Sequence, residues 1–516
     1  MTTGRAIAYR PVWLCLALLA ACRMPHVLPA PDVPGPAAAP PELSALAVTD
    51  GGTMYPAFTP DVYHYGARCG AVGDDRAAPY VAVTAQARQP ATRLTLRRAD
   101  PADNAVATGS LATGVAVAAG HDIAIEASNA AGTATYVVHC LPADLPDIRI
   151  VSRRPGVSDG LLLVSAFCCG HDHAAVVDNN GVPRFHHRGG PNFRRHADGP
   201  LLDGRRVRYS DAVEQRIRLL DDDFDPIRMV STVAPLPHPD FHDFLFTEEG
   251  NYLFISYPVT VRDLSAFTND RGKPYSPAQR VRDSVIQEVT PDGVEVFRWN
   301  SWDHLKLADC HFRGATVSYS HLNSLQLVDG DIVAGFRNCA QVVRIDRSSG
   351  SGAIEWQLGG TAPPRRATTA YLAIVDDPAG ELCALHQPTL TAAGTVVVFD
   401  NGNLCHGARK NAPVYTRVVE YDVSDGARAV FRREYRRPAG HGHSSQAGGV
   451  TVLDNGHWLI TWGVTLNATV PAEQLVTISE VDPATGTALL EMSSAASTYR
   501  VYRERESDLR IPLRLP

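Results

Sequence analysis

Three stretches of the chain share one pattern of apolar and polar positions. From His242 (HDFLFTEEGNYLFIS), His321 (HLNSLQLVDGDIVAG) and His386 (HQPTLTAAGTVVVFD), a short apolar run leads to a glycine eight or nine residues later, and an apolar run returns. Apolar runs of this length bounded by Gly, Asp and Asn read as strands joined by tight turns, because those residues tolerate the positive φ of a hairpin tip. The same punctuation recurs at Gly181, Gly204, Gly293 and Gly456. Other segments, VIQEVTPDGVEVFRW, VVRIDRSSGSGAIEWQL and RVVEYDVSDGARAVFRR among them, read as strand, Asp-containing turn, strand. Helical periodicity of any length is nearly absent. The His/Gly hairpin as inner pair and the Asp-turn hairpin as outer pair make a four-strand unit. Six such units, starting near residues 147, 190, 240, 320, 385 and 443, predict an all-β chain whose residues 147–516 form a six-bladed β-propeller. Insertions at 263–283 and 300–319 break the spacing, and loops of that length commonly serve a site.

The pattern differs upstream. Residues 42–145 alternate apolar and polar in YVAVTAQA, RLTLRR, HDIAIEAS and TATYVVHC, the period of a half-buried strand, with a turn signal at Asn129–Gly132. They predict a separate small β-sandwich, and LSALAVTDGGTMYPAFTP resembles the opening of cadherin-like surface modules. Residues 23–41 are Pro/Ala-rich and predict an extended spacer. Residues 1–22 carry Arg5 and Arg10 ahead of a short apolar run ending Leu19-Ala20-Ala21-Cys22. That pattern resembles a signal peptide with a lipobox, which predicts a lipid on Cys22 and an exported, membrane-anchored protein; the plainer reading is an ordinary secretory signal that contains a Cys. Arg23 after the lipidated Cys favours the outer membrane.

Charge and cysteine content narrow the field. A formal net charge of −7 without a basic run excludes a sequence-independent nucleic-acid binder. Export implies an oxidising compartment. Apart from Cys15 and Cys22, eight cysteines remain: Cys69, Cys140, Cys168, Cys169, Cys310, Cys339, Cys383 and Cys405. Shared membership of the N-terminal domain favours a Cys69–Cys140 disulfide, and the sequence leaves the other pairings open.

In a propeller the innermost strands line a central channel, so His242, His321 and His386, at one phase of successive units, are expected to meet at one mouth. Arg337, on the return strand after His321, is placed to join them. Three histidines suit zinc, with water as the fourth ligand. The guanidinium argues instead for an anion: Arg offers forked donors to sulfuryl or phosphoryl oxygens, and imidazole exchanges a proton near neutrality. Asp243 is the one inner-strand carboxylate beside these histidines. Cys168-Cys169-Gly-His-Asp-His173 looks metal-like but lacks a C-x-x-C pair, and adjacent exported cysteines fit a disulfide better. His186-His187 and His441-Gly-His443 read as rim residues, and the Asn467 acceptor sequence says little.

The stretches HDFLFTEEGNYLFISY, SHLNSLQLVDGDIVAGFRN, HQPTLTAAGTVVVFDNGN, YTRVVEYDV, GGVTVLDNGHWLITWG and YRVYRERES resemble the bacterial arylsulfate sulfotransferases over about residues 147–503. The resemblance implies an exported six-bladed propeller with an N-terminal β-sandwich. It implies sulfuryl transfer from a phenolic sulfate ester to a phenol, without a nucleotide sulfate donor and with no cofactor. His386 would be the nucleophile that forms a sulfohistidine, with His242, His321 and Arg337 in support. Pro388, two residues after His386, departs from the family pattern, and the extra cysteines and the 263–283 insertion are not matched to it. Phe241, Phe244 and Tyr319 are candidates to wall an aromatic ring, although core packing suits them better. Two other readings stand beside the transferase: a non-catalytic surface lipoprotein binding an anionic or aromatic ligand, and a metal-assisted hydrolase.

Overall fold

The computed structural model describes residues 39–49, 53–69, 80–167, 173–189, 192–196, 201–202, 205–206, 209–213, 216–221, 223–269, 272–312, 314–360, 370–405 and 413–516. The expected signal peptide with Cys22, nearly all of the spacer, and Cys168 and Cys169 lie outside the described residues. No helix among the described residues is long and apolar enough to cross a membrane.

The N-terminal region forms two sheets. Leu43–Thr49, Tyr80–Ala87 and Ser110–Ala116 make one, and His64–Ala67, Gly132–Cys140, Asp122–Asn129, Arg93–Leu96 and Ala105–Thr108 the other, in those orders. The alternation seen in sequence is the alternation of burial: Val81, Val83, Ala85 and Ala87 point inward between outward-facing residues. They meet Leu94, Leu96, Ile123, Ile125, Tyr136 and Val138 in one core. The expected Cys69–Cys140 disulfide is formed.

Downstream, the chain is an all-β, propeller-like ring of mostly four-stranded sheets. Inner to outer, they are Arg194–Arg195, Tyr209–Val213, Arg216–Leu220 and Pro226–Val230; then Pro239–Phe246, Tyr252–Ser256, Val285–Val289 and Glu295–Asn300; then Leu322–Val328, Asp331–Phe336, Gln341–Ile345 and Ile354–Gly359. The next is His386–Leu390, Thr395–Asp400, Arg417–Asp422 and Arg428–Arg436, whose outer edge joins the preceding sheet through Ala370–Val375. Gly449–Val452, Trp458–Thr461, Val476–Asp482 and Thr487–Ser494 follow, and Ile148–Arg153 adds a fifth strand at their outer edge. A last sheet pairs the C-terminal strand Ser497–Glu504, as its innermost member, with Leu161–Phe167, His173–Val177 and Pro183–Arg188. The two ends of this region therefore interlock. Inner strands pack in order, Pro239–Phe246 on Leu322–Val328, then His386–Leu390, Gly449–Val452 and Ser497–Glu504. The last of these touches Arg194–Arg195 and so closes the ring.

Second and third strands such as Tyr252–Ser256, Val285–Val289 and Asp331–Phe336 are buried at every position because sheets cover both their faces. That is why Tyr252–Ser256 reads as a nearly continuous apolar run, whereas Val285–Val289 buries Gln287 and Glu288 on hydrogen bonds from the Val233 N–H and Asn251 Nδ2.

The two insertions are ordered where described. Gln279–Arg282 pairs antiparallel with Val259–Arg262 and parallel with Val317–Ser318, building a small flap. Residues 300–319 begin with a one-turn helix, Ser301–His304, whose Trp302 N–H donates to Asn300 Oδ1 at 3.0 Å. They are tied back by a Cys310–Cys339 disulfide. His186 and His187 lie on the outer strand Pro183–Arg188, far from the inner strands, and His186 lines a crevice with Gly120, His121 and His139 of the N-terminal sheets.

Candidate active site

His386 opens the strand His386–Leu390 and is 1% exposed. Two close approaches wedge that strand between its neighbours. A Cβ on Gly335 would fall 2.8 Å from Pro388 Cδ, and one on Gly449 only 2.0 Å from Gln387 Oε1. A side chain at Gly335 would displace the Pro388 ring and one at Gly449 the Gln387 amide, and the unusual Pro388 acquires a role as a spacer against the strand that leads to Arg337. Gln387 has φ 41°, a left-handed conformation that a non-glycine residue adopts at a cost, offset by this packing.

The imidazole of His386 is oriented by Asn401, whose Oδ1 lies 2.6 Å from Nδ1. Asn401 is fully buried, and its amide nitrogen donates to Ser444 Oγ and to Ala447 O, both at 3.0 Å. Because the amide nitrogen is committed to these acceptors, Oδ1 faces the ring, the proton sits on Nδ1, and Nε2 keeps its lone pair. The turn carrying Asn401 is itself fixed. Asp400 Oδ1 accepts from the backbone N–H groups of Cys383 and Gly402, each at 3.0 Å, while buried Arg417 Nε donates to Asp400 Oδ2 at 3.0 Å. A Cys383–Cys405 disulfide closes the same turn. Glu381, Cys383 and Cys405 form the one metal-like grouping of at least three His, Cys, Asp or Glu among the described residues, and its two sulfurs are bonded to each other.

His321 immediately precedes its strand, Leu322–Val328, with φ 53°. Its carbonyl accepts from the backbone N–H of Arg337 at 3.0 Å, so the hairpin sets histidine and arginine side by side. Arg337 begins the turn Arg337–Cys339, and its guanidinium donates to Asn338 Oδ1 at 3.0 Å and Ser445 O at 3.1 Å. His242 lies inside Pro239–Phe246, where the pairing register breaks between Pro239 and Phe244, rather than at a strand start. Its ring meets that of His321 edge-on, centroids 4.9 Å apart. Asp240 lies against its Nδ1 and also accepts its backbone N–H at 2.9 Å.

The four residues singled out from sequence are therefore brought together. Burial first, then Arg337, holds His386 neutral well below the usual histidine range; the Asn401 hydrogen bond opposes this and His242 adds to it. Burial first, then His242, Arg337 and His386, depresses His321 in the same way.

Of the aromatic candidates, Phe241 alone faces the site: it is 41% exposed and stacks on His242 at 4.5 Å. Phe244 packs against Phe246, Tyr252 and Phe254, and Tyr319 is buried with its hydroxyl 2.6 Å from Ser301 Oγ, so both are core. Sequence reasoning missed Tyr257 and Tyr499, which edge His242 at 6.1 and 5.7 Å, and assigned no role to Asn401 or Asp240. Asp243 turns inward from the site, held by Arg500 Nη1 at 2.8 Å and Arg194 Nη1 at 3.1 Å. Nothing in a strand pattern separates Asn401 or Asp240 from an ordinary turn residue. The stretches FDNG and YRVYRERES, which contain Asn401 and Tyr499, were visible only as resemblance, and Asp240 lies in no such stretch.

A family model described as Arylsulfotransferase (ASST) matches residues 150–503. No curated protein matches the chain. Among solved structures, a putative 6-phosphogluconolactonase from Bacteroides fragilis is 11% identical with a TM-score of 0.34, over 67% of this chain and 99% of that one. A mutant of the Synechocystis apocarotenoid oxygenase is 12% identical with a TM-score of 0.31, over 81% of this chain and 93% of that one. Neither likeness adds to the assignment.

Proposed function

The chain belongs to the arylsulfotransferase family, and on that premise we propose that it moves a sulfuryl group between phenolic oxygens through a covalent intermediate on His386, with no nucleotide donor. Small aryl compounds are the substrates the family implies. The observation that carries the reading is a buried, neutral His386 with its Nδ1 proton tied to Asn401 and a guanidinium and two further imidazoles beside it.

The Nε2 lone pair of His386 attacks sulfur, the S–O(aryl) bond breaks, and the phenolate oxygen takes that electron pair and a proton from an imidazolium. His242, with the Asp240 carboxylate at Nδ1, is the ring equipped to carry that proton, whereas His321 is held neutral. On the return step His242 removes the proton of the acceptor phenol, whose oxygen attacks sulfur as the N–S bond breaks. Arg337 offsets charge on the sulfuryl oxygens, a contribution typically worth about a hundredfold to a thousandfold in rate. Phe241, with Tyr257 and Tyr499 behind His242, walls the aryl ring.

We read the four-stranded sheets as six blades, and the protein as an exported lipoprotein anchored through Cys22, by expectation in the outer membrane. Release of the Cys22→Ala protein from the membrane fraction is the outcome that supports the anchor, and retention refutes it. For the reaction, purified protein is incubated with a chromogenic aryl sulfate, with and without phenol. Chromophore release with stoichiometric phenyl sulfate, and loss of both release and transfer in His386→Ala, are expected. Persistence of either activity in His386→Ala ends the covalent assignment.

A further inference from the structure

Beside the histidines, the 263–283 insertion ends in the strand Gln279–Arg282, and its last residue has a particular position. Arg282 pairs with Val259 on one side and Ser318 on the other. Val259 lies two residues past Tyr257, and Ser318 three before His321, so both neighbouring strands run straight into the site. Along the strand Val281 and Asp283 are buried, and Arg282 between them is turned outward. The basic residues of this flap are not equivalent. Arg262 is engaged, donating to Asp283 Oδ2 and Thr260 Oγ1 at 3.0 and 3.1 Å and lying 4.5 Å over the Trp302 ring. The Arg282 guanidinium has neither a hydrogen bond nor an ion pair with any described residue. Its charge nonetheless reaches both Tyr257 and His321, lowering the pKa of each.

An exposed guanidinium without a counter-charge beside a reacting centre is a recognition group for an anion. The sulfuryl group itself is accounted for on the transferase reading by Arg337, whose backbone N–H bonds the His321 carbonyl, and by the histidines. We propose that Arg282 binds a second anionic group, a carboxylate carried on the aryl ring remote from the reacting oxygen, and so selects acidic phenols and their sulfates over neutral ones. The inference rests on the transferase reading for its substrate class, but the anion subsite can be tested without turnover.

Two measurements separate the cases. Binding of 4-hydroxybenzoate and of phenol to the whole protein is compared by calorimetry, and kcat/KM is compared for 4-carboxyphenyl sulfate and phenyl sulfate. The carboxylated member of each pair is expected to be favoured about threefold to fivefold, the range of an exposed ion pair. The preference should shrink as salt rises toward 1 M. In Arg282→Gln the ratio should fall to about one, with Arg282→Lys keeping part of it. If binding shows the preference but no transfer occurs with either sulfate, the subsite stands and the transferase reading falls. If the wild-type protein shows no preference, or Arg282→Gln weakens both ligands equally, the subsite is refuted whatever the chemistry.

Discussion

Asn401→Ala tests the central geometric claim, that one side-chain amide fixes which nitrogen of His386 attacks. Truncation removes the acceptor 2.6 Å from Nδ1 and leaves a donor in a site that is 1% exposed. An unsatisfied buried donor costs about 1–3 kcal/mol. The imidazole can avoid that cost by moving its proton to Nε2, but that tautomer has no lone pair for sulfur. Whether the ring keeps the competent form at a cost or adopts the other, the same energy is subtracted from transition-state stabilisation. The expected loss in kcat/KM is therefore about 5- to 150-fold.

The assay is steady-state turnover of an aryl sulfate at saturating phenol, with circular dichroism and a melting curve to establish that the variant is folded. Asn401→Asp gives a second readout that mere destabilisation would not move. In the native protein His386 is held neutral by burial and by Arg337, so its protonation should not limit activity until well below the ordinary histidine pKa. An anion in place of the amide favours the imidazolium and raises that pKa, so an acidic limb should appear at higher pH, with activity lost as pH falls through it. A folded Asn401→Ala within twofold of the native kcat/KM, or an unchanged acidic limb in Asn401→Asp, refutes the tautomer argument.

Other outcomes follow from groups outside the reacting centre. Burial, then Arg514, lowers His186 to about 4; burial, then Arg218, lowers His187 to about 3; and burial, then Arg184, lowers His64 to about 2. Their unfolded forms take up protons near pH 6.5, so stability is fully present above that value and is lost as pH falls from 6.5 toward 4, each group contributing up to about 1.4 kcal/mol per pH unit. A melting temperature that is flat from pH 6.5 to 4.5, or a slope unchanged in His186→Gln, contradicts this. Asp243→Asn leaves buried Arg500 without its counter-charge and should cost about 3–5 kcal/mol in urea denaturation; a loss under 1 kcal/mol removes that pair from the framework.

How much was legible in the sequence differs by element. The hairpin glycines, the all-β character and the separate N-terminal sheets were readable because turn chemistry and period-two burial are local properties, as in Tyr80–Ala87. The convergence of His242, His321, Arg337 and His386 was readable because a repeated unit converts sequence phase into position in space. The strand start at His242 was misplaced because the register break between Pro239 and Phe244 admits an irregular stretch that a period cannot reveal. Ile148–Arg153 was read as opening the first unit, whereas it adds the outer strand of the sheet that Thr487–Ser494 otherwise ends. Such pairing joins residues hundreds of positions apart and leaves no local trace. Asn401 and Asp240 were passed over for a related reason: their importance lies in what accepts or donates beside them.

The C-terminal strand Ser497–Glu504 connects this long-range pairing to the site. As the innermost strand of its sheet, it pairs with Leu161–Phe167 and closes the ring. Its Arg500 donates to Asp243 Oδ2 at 2.8 Å and to Asn323 O at 2.5 Å, bridging the strands that carry His242 and His321. Asn323 Nδ2 passes the connection on to Leu385 O at 2.8 Å, next to His386. Tyr499, one residue earlier, edges His242 at 5.7 Å. Ring closure and site geometry therefore share these contacts: the three histidine-bearing strands have their common anchor only with the last strand seated. The expense of burying Arg500 with Asp243 fits that role, since an ion pair this deep adds little net stability yet is strongly destabilising when half-made. It penalises arrangements that bury Asp243 or Arg500 without the other, and so favours the seated strand that anchors His242, His321 and His386 together.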